Sequence, residues 1–125
     1  EYYGRISRYA KFEELELKDG DEATVLARFQ RAIPERSRVV ALEVLGKSWS
    51  SERLSRYVEQ SALDSIQTLV FLIGGSYGLP AKVSRLADLQ LSLSAMTLPH
   101  RLARLILAEQ VYRAFTIQKN EPYSH

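Results

Sequence analysis

The sequence predicts an α/β domain built on a parallel sheet with helices on both faces, and three observations predict it. The runs RVVALEVL (38–45) and TLVFLI (68–73) are apolar almost without interruption, the pattern of strands buried on both faces. A third stretch alternates through Leu89, Leu91 and Leu93. Between these runs lie segments whose apolar residues recur at helical spacing, and strand–helix alternation of this kind calls for parallel pairing. At 125 residues the chain fits one domain, able to bury about two-thirds of its unfolded surface.

Each element has its own justification. In EYYGRISRYAKFEELEL, Tyr2, Ile6 and Tyr9 share one helical face with Arg5 and Arg8 nearby, and Phe12, Leu15 and Leu17 then suggest a short strand. Lys18-Asp19-Gly20-Asp21 reads as a turn into a helix over 22–32 with Val25, Leu26 and Phe29 inward. Pro34 ends that helix, because proline offers no backbone donor. The strand at 38–45 gives way to a loop at Gly46-Lys47-Ser48-Trp49. Ser50 or Ser51 then caps a helix reaching Leu63, with Leu54, Tyr57 and Val58 on one face. The strand at 68–73 ends at Gly74-Gly75, and Pro80 occupies the first turn of a short helix carrying Val83 and Leu86. The last strand leads through Ser94-Ala95-Met96-Thr97-Leu98-Pro99 into a long helix over 100–117. No internal repeat or low-complexity segment interrupts the pattern. The first residue is Glu, and the chain opens inside a helix-like pattern, so an upstream segment is expected.

Composition narrows the chemistry. A chain with 46% hydrophobic and 26% charged residues is ordinary globular material. No apolar run approaches the length of a bilayer span. With no cysteine, disulfides and thiolate metal sites are excluded, which fits a reducing compartment. Two histidines, His100 and His125, are too few and too far apart to suggest a metal centre. The net charge is only +2, but the pI is about 9.0 and arginine outnumbers lysine. Arginine's planar donor fork suits phosphate, so an anionic partner is favoured.

In open α/β sheets the ligand crevice lies beyond the carboxyl ends of the strands. Three such ends are visible, at 42–46, 73–75 and 92–99. Gly74-Gly75 permits close approach of backbone to a ligand, although such pairs are as often simple turns. Neither a dinucleotide fingerprint nor a Walker motif is present, which argues against nicotinamide, flavin or NTP chemistry. The third strand end offers hydroxyls from Ser92, Ser94 and Thr97 and apolar surface from Leu93, Met96 and Leu98. Such a loop can grip a planar base and read its edge through main-chain groups. The plainer reading, favoured by the residues alone, is that Ser94 or Thr97 caps the helix begun by Pro99. In that helix His100 and Arg104 share a face with Arg101 adjacent, which points to phosphate binding, and Glu109 and Arg113 form a second i,i+4 pair. Leu102, Leu105, Ile106, Leu107, Val111, Tyr112 and Phe115 cover most other directions, so the helix is expected at a subunit interface.

Three stretches carry a resemblance: FLIGGSYGL (71–79), LSLSAMTLPHRLARLILAEQVYRAFTI (91–117) and NEPY (120–123). They resemble the SPOUT-class methyltransferases of the ribosomal RNA methyltransferase H family, and the similarity extends to EYYGRISRY and VVALEVLGKSWSSE. The resemblance implies a single SPOUT domain over 1–125, Rossmann-like, with a deep trefoil knot at its C-terminal end. It also implies a cytoplasmic homodimer with no membrane partner. It implies transfer of methyl from S-adenosylmethionine, without a metal, to N3 of a pseudouridine in large-subunit ribosomal RNA of the assembled ribosome. By position, the cofactor pocket would be Leu42, Gly75, Ser94, Ala95, Met96, Thr97, Leu98 and Pro99. His100, Arg104, Arg113 and Tyr123 would contact RNA or serve the active site, positioning the substrate. His100 and Glu109 are both available as a general base, and the residues do not choose between them. The chain departs from the family in three places. The family's first strand should precede EYYGRISRY, ELKDGDEAT is short and acidic where a longer basic loop is usual, and the ending is Pro-Tyr-Ser-His rather than Pro-Tyr-His plus a basic residue. His125 then stands where it could replace the displaced imidazole. The competing reading is a non-catalytic dimeric α/β module that binds RNA or a nucleotide.

Overall fold

The computed structural model describes residues 1–75 and 78–124. Its centre is a three-stranded parallel sheet in the order β2-β1-β3, formed by β1 (Ser37–Ser48), β2 (Thr68–Leu72) and β3 (Leu89–Ser92). Helices α2 (Glu22–Ala32) and α4 (Ala81–Ser84) cover one face. The other face carries α3 (Ser51–Leu63) and α5 (His100–Gln118), and α1 (Tyr2–Ile6) packs on the far side of α5. The parallel, doubly covered sheet expected from the continuous apolar runs is therefore present.

The alternation of β1 divides the core. Val39 points with Leu72 toward Val25 of α2 and Val83 of α4. Val40 points with Leu89 and Leu91 toward Leu54, Val58 and Ala114. One residue of slip would exchange these two cores, so the register is strongly specified. Asp88 reinforces it, since its side chain accepts from the Val39 N–H (2.8 Å) and its own N–H donates to the Val39 carbonyl (2.7 Å).

Local capping explains where the helices begin. Asp21 accepts from the Thr24 N–H at 2.8 Å, and Arg28 clamps the preceding turn through the carbonyls of Lys18 and Asp19. Of the two serines expected to cap α3, Ser50 does so, accepting from the Arg53 N–H. Ser51 instead reaches across to Gln110 of α5.

Two expectations from sequence are corrected. No strand forms at Phe12, Leu15 and Leu17. Leu15 is 61% exposed, and Phe12 lies against the Tyr3 ring at 4.3 Å. A strand needs a ladder partner, and the sheet offers this acidic segment none. The loop expected at 46–49 is also shorter, because β1 continues to Ser48. Leu91 stands opposite Leu42 and again opposite Lys47, so residues 43–46 swing out of the ladder before Lys47 and Ser48 rejoin β3. Gly46 makes the return possible, since a Cβ there would lie 2.7 Å from the Gln90 backbone.

The near-uniform apolarity of α5 has an origin within the chain. Its central and C-terminal turns are sandwiched between α3 and α1, burying Leu107, Ala108, Tyr112, Ala114 and Thr116. Tyr2, Tyr3, Ile6 and Tyr9 pack together against Ala108 and Tyr112, although α1 itself ends at Ile6. Only the first turns keep large apolar side chains in solvent, with Leu102 42% and Leu105 53% exposed.

Candidate active site

The carboxyl ends of the three strands lie side by side, and the residues singled out as cofactor ligands occupy them. Leu42 is half-buried and packs into the core on the α3–α5 face, at the point where β1 leaves the ladder. After β2, Gly78 donates to the Gly75 carbonyl at 3.0 Å and has φ of 76°. At Gly74 a Cβ would sit 2.4 Å from the Gly78 backbone, so no side chain is tolerated there. Gly75 differs. Among the described residues nothing lies within 4 Å of its would-be Cβ, and its backbone is exposed.

The loop at 94–99 is organised by its own hydroxyls. Ser92 donates to the Ser94 carbonyl (2.8 Å), and Ser94 Oγ accepts from the Met96 N–H (3.0 Å). The expected helix cap is not formed, because Pro99 is the N-cap of α5 and no side chain accepts from that helix end. The serine is thus used to turn the loop. Met96 is left 76% exposed beside the exposed Ala95 and Thr97.

A cleft of about 570 Å³ opens at the same end of the sheet, lined by Glu43, Leu45, Gly46, Leu79, Arg85 and Gln90 among others. It has the size of a small-molecule site, yet none of the positions expected for the cofactor lines it. The out-swung 43–46 segment forms one wall of the cleft, and α4 with Leu79 just before it forms another. Sequence reading singled out the 42–46 strand end but not Arg85 on the facing wall. The signal available was Gly46, which closes the first strand end and is forced by close approach to β3.

The residues assigned to substrate fall into two groups. His100 and Arg104 sit exposed on the first turns of α5, and Arg104 reaches Glu14 at 3.5 Å. Arg113 and Tyr123 meet at the other end, on the Glu109 carboxylate. Arg113 donates from Nη2 at 2.7 Å and Nε at 3.1 Å, and Tyr123 from its hydroxyl at 2.8 Å. Arg113 is separated along α5 from Arg104 and His100 by roughly 13–20 Å at 1.5 Å rise per residue. A single chain therefore does not unite all four. His125 lies outside the described residues.

Electrostatics refine the roles at the far end. Burial pushes the Glu109 carboxyl up, but hydrogen bonds from Arg113 and Tyr123, with the arginine charge, outweigh it and hold Glu109 below the usual carboxylate range. The Tyr123 phenol is pushed well up by its bond to Tyr2, by burial and by Glu109, so it keeps its proton and acts as a donor. Neither group is arranged to accept a proton. Among the described residues, no group of three or more His, Asp or Glu side chains could hold a metal ion.

The geometry defines an α/β domain whose candidate site is a set of strand-end loops, with exposed glycine backbone at Gly75 on one side and a hydroxyl-rich turn on the other. The chain belongs to the SPOUT methyltransferase family, whose profile, described as "Predicted SPOUT methyltransferase", matches residues 1–125. Membership makes it an S-adenosylmethionine-dependent methyltransferase, and the parallel sheet is consistent with the knotted fold of that family. Ribosomal RNA large subunit methyltransferase H of Sorangium cellulosum (strain So ce56) is 48% identical over 125 residues, covering 100% of this chain and 86% of the relative. The protein of the same name from Streptococcus pneumoniae (strain CGSP14) is 42% identical over 136 aligned residues, covering 98% of this chain and 86% of the relative. That alignment is longer than this chain, so the relative carries residues within the matched region where this chain has none.

Proposed function

We propose that the protein methylates N3 of a pseudouridine in large-subunit ribosomal RNA, acting as a homodimer on the assembled ribosome in the cytoplasm. The observation that carries this reading is the similarity, over 125 residues of this chain and 86% of the relative, to the ribosomal RNA large subunit methyltransferase H of Sorangium cellulosum, at 48% identity. No helix of the described residues is long and apolar enough to cross a membrane.

Features of the strand ends support this reading of the cofactor site. Gly75 offers open backbone, Met96 and Leu98 offer apolar surface for an adenine, and the Ser94-ordered turn holds main-chain groups near them. In this reading Leu42, Gly75, Ser94, Ala95, Met96, Thr97, Leu98 and Pro99 hold S-adenosylmethionine. When bound, it supplies a methyl group on a sulfonium that already carries its leaving group. The chain's own task is then orientation and exclusion of water. His100 and Arg104 bind the RNA at one end of α5, and Arg113 and Tyr123 position the acceptor base at the other. Since the two ends are far apart in one chain, a second copy brings them together. Leu102 and Leu105, exposed on the first turns of α5, support a contact centred there within 100–117, and a stable one buries more than ~1,000 Å².

The test is methyl transfer from labelled S-adenosylmethionine to ribosomes of a strain lacking this modification, with pseudouridine-deficient ribosomes as control. Label on the first preparation alone is expected, and equal labelling of both refutes the pseudouridine assignment. Calorimetry on the free protein separates the enzyme from a non-catalytic binding module, which takes up RNA without binding the cofactor. Sedimentation at micromolar concentration is expected to give a dimer mass.

A further inference from the structure

We propose that Glu109 is a positioning residue: it latches the 122–124 turn and the Arg113 guanidinium to α5 and so fixes how the methyl acceptor is presented. The second half of this statement rests on the function proposed above.

Two parts of the chain meet on one carboxylate, and a third stands behind them against Tyr123. From α5, Arg113 donates through Nε and Nη2 to Oε2, and Gln110 donates to Oε1 at 2.9 Å. From the C-terminal 3-10 turn (Pro122–Ser124), the Tyr123 hydroxyl donates to Oε2. From α1, the Tyr2 hydroxyl stands 3.3 Å from that of Tyr123. The Arg113 guanidinium also lies over the Tyr123 ring, 5.1 Å from its centre, and Tyr112 meets the same ring edge-on at 4.7 Å. The pair is largely shielded from water, with the Glu109 side chain 19% and that of Arg113 26% exposed.

This arrangement needs a carboxylate of glutamate's length. Every partner is a donor, so an amide in its place would turn an N–H toward other donors. A shorter acid one turn before Arg113 would not reach Tyr123 as well. With its lone pairs engaged, Glu109 acts on the reaction through Arg113 and Tyr123 and not by taking a proton. Arg113 is correspondingly fixed. Its Nε and Nη2 are committed to Glu109, and Nη1 bonds to nothing among the described residues, leaving that edge to meet a base carbonyl or a phosphate.

The experiment uses the full chain and Glu109→Gln, Tyr123→Phe and the double variant. Hydrogen exchange without substrate reads the latch directly at the amides of Lys119, Asn120 and Glu121, which bond to Phe115, Ile117 and Thr116. Loss of the charge-assisted bonds is expected to speed their exchange about tenfold in Glu109→Gln while the sheet is unchanged. Cofactor affinity by calorimetry is expected to stay at the wild-type value. The kcat/KM for ribosomes should fall about tenfold, mostly through KM, with the shape of the pH–rate profile retained. The double variant should lose little beyond the larger single effect, as for residues acting through one unit. Unchanged exchange, additive losses, or disappearance of the acid limb of the pH profile would each overturn the proposal, the last by marking Glu109 as the base. If wild type labels no ribosome while Glu109→Gln still loosens 119–121, the substrate reading falls and the latch is upheld. Should Glu109→Gln not fold, Tyr123→Phe, which removes one donor only, carries the same exchange test.

Discussion

Replacing Gly46 by alanine tests whether the return of β1 to the sheet depends on the missing side chain. The new Cβ would stand 2.7 Å from both the carbonyl carbon and oxygen of Gln90 and 2.8 Å from the Leu91 nitrogen. Favourable carbon contacts lie near 3.5–4.0 Å, so the strands must part by roughly half an ångström or more. Backbone atoms cannot rotate aside as a flexible side chain would. The parting falls where Lys47 pairs with Leu91 and Ser48 with Ser92. Overpacking of this kind costs about 1–3 kcal/mol. For a domain of this size that is a fall in Tm of roughly 4–12 °C. The displaced strand end carries Ser92, whose hydroxyl holds the Ser94 carbonyl, so the 94–99 loop shifts and cofactor affinity falls with stability. Thermal unfolding followed by circular dichroism, with calorimetric titration of S-adenosylmethionine, measures both effects. Gly75→Ala is the control, because its Cβ meets open space and should leave Tm within a degree or two. A Gly46→Ala protein that melts and binds like wild type would refute the reasoning.

Three further outcomes are expected. Gly75→Val should fold with nearly wild-type Tm, since the position is open, yet show no heat of cofactor binding because its side chain fills the ligand's space. Arg104→Ala should leave melting and cofactor affinity unchanged, its 3.5 Å pairing with Glu14 being an exposed one, while ribosome methylation drops severalfold. Three carboxyls are held below their ordinary range: Asp21 by the Thr24 N–H, Asp64 by Gln60 and Arg38, and Glu109 by Arg113 and Tyr123 against its burial. Their stabilisation is complete above the unfolded carboxyl range near pH ~4 and is lost as pH falls through the lower folded values. Denaturant midpoints should therefore hold from pH 7 to 5 and fall toward pH 3, and Asp21→Asn with Asp64→Asn should flatten that fall.

What could be read from the sequence follows from how local each determinant is. The strands at 38–45 and 68–73 are legible because continuous apolar runs need two covered faces, whatever their partners. The cap of α3 is local too, and Ser50 forms it as one of the two expected serines. Phe12, Leu15 and Leu17 misled because alternation describes a strand's faces but not whether a neighbouring edge exists. The excursion at 43–46 depends on a register with β3 more than forty residues away, which periodicity cannot express. In the candidate site, the motif loop at 94–99 was visible through its residue types. The gathering of Arg113 and Tyr123 on Glu109, with Tyr2 against Tyr123, was not, because it joins residues up to 121 apart in sequence. Nor could the apolar surround of α5 distinguish burial between α1 and α3 from burial in a partner, and the structure assigns most of it to the former.

The contact between α1 and the C-terminal segment also bears on the order of synthesis. Tyr9 bonds to Glu121 across 112 residues of sequence, and Tyr2 approaches Tyr123 across 121. These aromatic rings, among the first residues of this stretch to be made, have no surface to bury until α5 and the turn after it have been translated. Until then three tyrosines and Ile6 stay in water or pair wrongly, while the sheet can already assemble. Contacts of such long range slow folding and lengthen the exposure of apolar surface. Residues 121–123, made long after residues 2–9, are thus the ones that retire them, and a chain cut short after α5 begins would leave that earlier segment unburied.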